Sequence, residues 1–326
     1  MKHVIIGAGT VGRATASRLT GQGHQVHLVS RNGGGPGHEG IERVACDATD
    51  ADALARVCRG ATAVYNCASP SSYARWVTDW PPLAAGILDA ARRSDAVLVT
   101  LSNLYGYGPV DGPMTENTPL DATGVKGRIR AGMWRDALDA HRAGSVRVTE
   151  ARASDFFGPG FTTTVQIGTR VVPRVLTGKT VRVLGDPDAP HTWTYLEDVS
   201  RTLAVLGTDP RAWGRAWHVP SGPPVSQRRM IDALARAAGV DAPPVVSLPG
   251  WSLRAMGMVS PSVRELHEVR YQFDDPFVMD SSAFTRTFAV TATPFDDAVS
   301  TTVRWWRKSF DHRAQTDAVR CAGVTE

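Results

Sequence analysis

The chain is short of lysine, of cysteine and of long apolar runs, and each shortage excludes something. Only four lysines occur (Lys2, Lys126, Lys179, Lys308), so nearly all of the 36 basic side chains are arginine, a bias that genome composition explains as readily as function. Those 36 cations are scattered among 32 acidic residues for a net charge of +4. A nucleic-acid partner would want a concentrated basic face instead. Cys46, Cys58, Cys67 and Cys321 have no CxxC spacing, which argues for free thiols in a reducing compartment rather than a disulfide framework, and no other metal-ligand spacing is present. No run of eighteen apolar residues occurs, and the first strand begins at His3, leaving no room for a signal peptide. The expectation is a cytoplasmic protein without a membrane partner.

What is present is ordinary for a globular enzyme: 326 residues, 42% hydrophobic and 21% charged, enough for one large domain with a smaller lobe attached. HVII (3–6), QVHLVS (25–30), RVAC (43–46), AVYN (63–66), AVLVTL (96–101) and VRVTEA (146–151) read as strands. VGRATASRLTGQ, ADALARVCRG, PPLAAGILDAARR and RAGMWRDALDAHRAG, between them, read as helices. This alternation predicts an α/β fold, a Rossmann-type doubly wound parallel sheet. The alternation fades after Gly160, so residues 1–160 are expected to form a dinucleotide-binding domain. Residues 161–310 would be mainly a smaller α/β substrate lobe with some segments returning to the first domain, and 311–326 a polar, loosely held tail.

The first chemical motif is GAGTVG, residues 7–12, directly after the first strand and opening a helix. Gly7 permits the tight turn, Gly9 lets backbone approach a pyrophosphate, and Gly12 lets the helix pack on the sheet. Thr10, Val11 and Gly12 then offer helix N-terminal N–H groups to the phosphates. The second strand ends in Ser30-Arg31-Asn32, where a cofactor lacking a 2′-phosphate would want a carboxylate. Arg31, with Arg13 just past the glycines, favours NADP(H) over NAD(H); the plain alternative is a solvated arginine. Asp47 stands where a carboxylate could take the adenine amino group, or could cap the helix near Ala51, a role that suits Asp50 better. Ala68, in NCASP after the fourth strand, is small enough to pass under a cofactor. TGKT (177–180) lacks the first P-loop glycine, which would fall at Pro173, and reads as a turn.

Taken together, GAGTVG, DATD, NCASP, NLYGYGP, RASDFFGPG (152–160) and HTWTYLEDV (191–199) resemble the extended short-chain dehydrogenase/reductase superfamily of the NAD-dependent epimerase/dehydratase type, over residues 1 to about 310. The resemblance implies a tyrosine that moves a proton, a lysine four residues later and a serine after the fifth strand. The chain departs from it. None of the six tyrosines, at 65, 73, 105, 107, 195 and 271, is followed four places on by lysine. Alignment on the helix ending DALDAHRAG puts Lys126 at the tyrosine position and Arg130 at the lysine position, and Asn103 (or, one residue earlier, Ser102) at the serine position.

Lys126 and Arg130 are four apart in a helix, two like charges on one face, which calls for an anionic answer. By the resemblance, Arg130 takes over the contact with the nicotinamide ribose and Lys126 faces the substrate as a cation or, if desolvated, a proton donor. Arginine cannot relay protons. Tyr105 and Tyr107, on the loop after the fifth strand, are the remaining acid–base candidates, and a phenol beside Lys126 would have a lowered pKa. His191, Tyr195 and Asp198 could line the cleft between lobes, although Asp198 equally suits a helix N-cap. Trp76, Trp80 and Trp193 near the cleft hint at a flat or apolar substrate.

Three functions are consistent with these residues. The first is an NADP(H)-dependent reductase or dehydrogenase acting on a small carbonyl or hydroxyl compound, with Tyr105 or Lys126 managing the proton and Asn103 holding the oxygen. The second is a non-redox isomerase, cyclase or lyase, and the third an NADP(H)-sensing binding protein without turnover. The resemblance further implies a homodimer built on the helices flanking the fifth strand.

Overall fold

Val4, Ile5, Val64 and Val99 have no solvent exposure at all, as strands covered on both faces require. The computed structural model describes residues 1–35, 37, 39–162, 165–248, 265 and 267–322, with 311–322 as helix backbone alone. The central strands are β1 (Lys2–Ile6), β2 (Gln25–Ser30), β3 (Ile41–Ala45), β4 (Ala63–Asn66), β5 (Val97–Asn103), β6 (Arg147–Ala153) and β10 (Ala216–His218). They form one seven-stranded sheet in the order β10-β6-β5-β4-β1-β2-β3, every pair parallel. Helices α1 (Thr10–Gly21) and α6 (Leu196–Thr208) cover one face, around Ile5, Val99 and Leu203. Helices α2 (Ala51–Cys58), α3 (Trp76–Arg93) and α4 (Val125–Arg142) cover the other, around Val64, Leu98 and Val148.

Helix α3 begins five residues before the position suggested by its proline pair. Pro81 and Pro82 lie inside it and deprive the carbonyls of Val77 and Thr78 of a donor. Both residues are exposed, so water can serve those carbonyls, while Trp76 and Trp80, one turn apart and buried, hold the extra turn down. Asp50 caps α2, its side chain accepting from the Ala53 N–H at 2.9 Å.

Beyond residue 160 a second core gathers α5 (Val172–Leu176), the parallel pair β8 (Val181–Leu184) and β11 (Val245–Leu248), α7 (Gln227–Ala238) and α10 (Phe295–Ala322). Two short helices, α8 (Tyr271–Asp274) and α9 (Ser282–Phe288), precede α10, and Phe284 of α9 returns to the first core. Strand β7 (Asp155–Phe157) pairs with β9 (Trp193–Tyr195) where the two cores meet. In the polar end, α10 continues as helix backbone through residues 311–322, with Trp306 and Phe310 packed on the second core upstream. Asp198 is not an N-cap either. Tyr195 occupies that position, and Asp198 sits buried in the first turn of α6, accepting from the Thr293 N–H and hydroxyl. The described residues contain no helix long and apolar enough to cross a membrane.

Candidate active site

The glycine turn does three separate jobs. Gly7 has φ +106°, and a Cβ there would lie 2.7 Å from the Ala68 nitrogen, so Ala68 and Gly7 can pass each other only without side chains between them. A Cβ on Gly12 would sit 1.8 Å from the Gly7 carbonyl oxygen, whereas one on Gly9 meets nothing within 4 Å. Gly9 therefore borders open space at the mouth of α1, whose N-cap has no side-chain hydrogen bond and whose first turn has no acidic residue. The N–H groups of Thr10, Val11 and Gly12 belong to that uncapped turn. Thr10 Oγ1 also donates to the Gly160 carbonyl at 3.0 Å, tying the turn to the FGPG segment.

Arg31 is exposed at the end of β2 and makes no hydrogen bond or ion pair among the described residues. Arg13 folds back over the glycine turn, Nε donating to the Ala8 carbonyl at 2.8 Å. Asp47 Oδ1 accepts from both the N–H and the hydroxyl of Thr49, at 2.9 and 2.8 Å, bonds that hold its carboxyl below the usual range and leave Oδ2 free.

Lys126 and Arg130 meet different answers. Lys126 is 1% exposed, and its Nζ donates to Glu265 at 2.7 Å and Glu268 at 2.9 Å. Burial alone would lower its pKa, but the two carboxylates outweigh burial and raise it. The lysine is thus a neutralised ammonium rather than the free cation or desolvated proton donor its position suggested. Arg130 packs against two indoles set nearly perpendicular to each other, its Cζ 4.2 Å from the Trp80 ring centre and 5.0 Å from that of Trp76. Burial lowers its pKa to about 10, so it stays charged at neutral pH, yet Nε and Nη1 are buried with no hydrogen-bond partner. Buried donors of this kind are costly unless an acceptor arrives, and ribose hydroxyls would supply one. The open cradle at Gly9 and these orphaned donors fit a dinucleotide.

Tyr105 is not beside the lysine ammonium. Its hydroxyl lies 2.7 Å from that of Tyr73, and Lys126 Nζ instead stands 5.4 Å from the Tyr73 ring centre. Burial raises Tyr105 well above the ordinary phenol range and raises Tyr73 as well, opposite to the lowering expected from a neighbouring ammonium. No sequence motif surrounds Tyr73, so its pairing with Tyr105 is visible only in the fold. Asn103 Oδ1 accepts from the Tyr105 N–H at 3.2 Å and shapes the loop. Ser102 is buried beside Glu150. Tyr107 points away into a closed network: its hydroxyl accepts from Arg152 Nη1 at 2.8 Å and donates to His218 Nε2 at 2.7 Å, while Arg152 Nε donates to Glu150 at 2.7 Å. That commitment leaves Tyr107 nothing to offer a ligand.

No curated protein matches the chain. The fold is shared with dTDP-glucose 4,6-dehydratase DesIV from Streptomyces venezuelae, as a double mutant with NAD and DAU bound (TM-score 0.75, 22% identity, covering 94% of this chain and 97% of that one). It is shared equally with UDP-glucose 4-epimerase from Thermus thermophilus in complex with NAD (TM-score 0.74, 19% identity, 94% and 99%). The third is dTDP-glucose 4,6-dehydratase from Bacillus anthracis str. Ames in complex with NAD (TM-score 0.78, 17% identity, 94% and 97%). The NAD dependent epimerase/dehydratase family model matches residues 4–219, from β1 to just past β10, and the chain belongs to that family.

Proposed function

We propose that the protein is an NADP(H)-dependent oxidoreductase acting on a small, apolar or aromatic carbonyl or hydroxyl compound. The observation that carries this reading is Arg31, an exposed guanidinium at the end of β2 that makes no hydrogen bond or ion pair among the described residues, its charge felt only at longer range by Asp47 and Asp79. A 2′-phosphate supplies what both Arg31 and the free Nη groups of Arg13 lack. The N–H groups of Thr10, Val11 and Gly12 hold the pyrophosphate, Asp47 Oδ2 accepts from the adenine amino group, and Arg130 donates to ribose hydroxyls. The bound nicotinamide supplies the hydride chemistry. Tyr73, Trp76 and Tyr105, packed in one cluster, give the substrate an aromatic wall. The Asn103 amide N–H holds the substrate oxygen, and Tyr105, backed by Tyr73, is the phenol placed to donate to it. Lys126 serves as a structural anchor in this reading.

Calorimetric titration with NADPH, NADP⁺, NADH and NAD⁺ tests it, repeated on Arg31→Ala. The expected result is NADP(H) binding that weakens at least about 10-fold in the variant, with NAD(H) binding unchanged. Absence of binding by all four dinucleotides overturns the reading.

A second reading, redox-neutral dehydration or epimerisation, draws support from the solved structures of similar fold, which are dehydratases and an epimerase crystallised with NAD. Net consumption of NADPH with an aldehyde separates the two, because a redox-neutral enzyme returns its cofactor unchanged.

A further inference from the structure

We infer that Asp155 and His191 form the proton-holding pair of this cleft, with Asp155 Oδ1 taking the proton of a substrate hydroxyl or returning it; the inference rests on the oxidoreductase reading above.

Asp155 opens β7 and pairs in register with Trp193 of β9, two residues after His191. The His191 ring is 2% exposed and packed by Phe273 (centroids 5.3 Å, planes 10° apart), Phe277 (5.3 Å, 28°) and Trp193 (4.4 Å, 41°). It cannot turn over without displacing them. Nδ1 lies 3.1 Å from the Gln272 carbonyl and Nε2 lies 2.9 Å from Asp155 Oδ2. A carbonyl only accepts, so Nδ1 carries a hydrogen. Nε2 then either donates to a carboxylate or accepts from a carboxylic acid. In both forms one proton occupies the Nε2–Oδ2 axis, and neither residue can give it up without changing the other's charge.

The pair is also open to solvent on its Asp155 side. The Asp155 side chain is 23% exposed, and among the described residues Oδ1 receives no hydrogen bond. The charge of Asp155 acts on three phenols, Tyr73 beside α3, Tyr105 after β5 and Tyr271 on α8. Glu268, itself paired with Lys126, is the further charged group acting on Tyr271. A purely structural hydrogen bond to Oδ2 would not need the second oxygen, Oδ1, left exposed and without a hydrogen bond. The step assigned to the pair is a proton transfer alone. The substrate O–H bond breaks, its electron pair stays on the substrate oxygen, and the proton lands on Oδ1 and leaves to water in the cleft; the reverse direction runs the same atoms backward.

Asp155→Asn tests this, because an asparagine side chain can keep the structural bond to Nε2 while holding no acid proton. In the first arm, 15N-histidine NMR of the cofactor-free proteins reads the ring. A far-downfield proton correlated with His191 Nε2 in the wild type, absent from the variant, is expected; the same His191 spectrum in both overturns the proposal. In the second arm, NADPH oxidation with benzaldehyde is followed across pH. The expected result is a fall of about 100-fold in kcat with KM and NADPH affinity near wild type and one limb of the pH profile lost. Wild-type kcat with an unchanged pH profile overturns it. If the wild type neither binds NADPH nor turns over, the oxidoreductase reading fails, and the His191 spectrum alone decides whether the pair holds a proton. Should near-ultraviolet circular dichroism show Asp155→Asn unfolded, both arms are read on Asp155→Ser.

Discussion

The hydroxyl oxygens of Tyr73 and Tyr105 lie 2.7 Å apart, although the two residues sit on different elements, 32 positions apart in the chain. Each phenol is the other's partner, and burial raises the pKa of both. Raised phenols stay protonated at neutral pH, so the pair suits donating a hydrogen bond to the substrate oxygen rather than taking its proton. Tyr105→Phe should lower reductase turnover about 100-fold and Tyr73→Phe about 10-fold, each destabilising the fold by about 1 kcal/mol. In the double variant the two stability losses should sum to less than their separate values, since either removal already breaks the shared bond. Urea unfolding and single-turnover kinetics on the three variants check this, and additive losses would show that the phenols act apart.

Gly9 and Gly12 separate cofactor binding from folding. Gly9 has φ −73°, which alanine adopts freely, and its Cβ would stand in open space. Gly9→Ala should therefore leave the melting temperature within a few degrees of wild type while weakening dinucleotide affinity at least about 10-fold, because the methyl enters the pyrophosphate cradle. Gly12→Ala drives a Cβ to 1.8 Å from backbone that cannot yield, and should destabilise the protein itself by several kcal/mol, on the order of 3 or more. Thermal melts paired with NADPH titration distinguish the two. Equal loss of stability in both would mean that Gly9 is structural.

These contrasts mark what could be read along the chain and what could not. Strands β2 and β4 coincide with their apolar runs, and the glycine turn lies where its spacing put it, because both depend on neighbours in sequence. The partners of Lys126 are 139 and 142 residues away, in a stretch with no motif, so the cation was legible and its neutralisation was not. Tyr73 was hidden for the same reason. The start of α3 was misplaced because the proline pair is a strong local signal, and the burial of Trp76 and Trp80 overrides it. Tyr107 shares a loop with Tyr105, and only the fold shows that one turns toward the cleft cluster and the other toward Arg152.

Tyr107 then makes a prediction of its own. Its hydroxyl joins Arg152 to His218, and the His218 Nδ1–H donates onward to the Asp280 carbonyl at 2.8 Å. Burial lowers the His218 pKa, in keeping with a neutral ring that accepts the phenol proton at Nε2. Tyr107→Phe leaves two buried polar atoms without a partner and should cost about 2 kcal/mol of stability. Turnover per folded molecule should match wild type, in contrast to Tyr105→Phe. A loss of kcat in the fully folded variant would return Tyr107 to the reaction.

Acid should weaken the fold through His3, remote from the cleft. The ring is fully buried at the start of β1, Nδ1 bonded to the Tyr65 hydroxyl at 3.1 Å and Nε2 without a partner. Burial first, then the charges of His24 and the amino terminus, lower its pKa from 6.5 to about 4. Between those values the unfolded chain binds a proton that the folded one refuses. Stability is therefore full above pH 6.5 and falls as the pH drops toward 4, by roughly 3 kcal/mol from this residue. His3→Gln removes the titration, so urea unfolding at about pH 7 and about pH 4.5 should show a smaller acid loss in the variant by roughly that amount. His27, also lowered by burial, titrates in both proteins and cancels in the comparison. An identical acid loss in the two proteins would show that His3 takes its proton in the folded state after all.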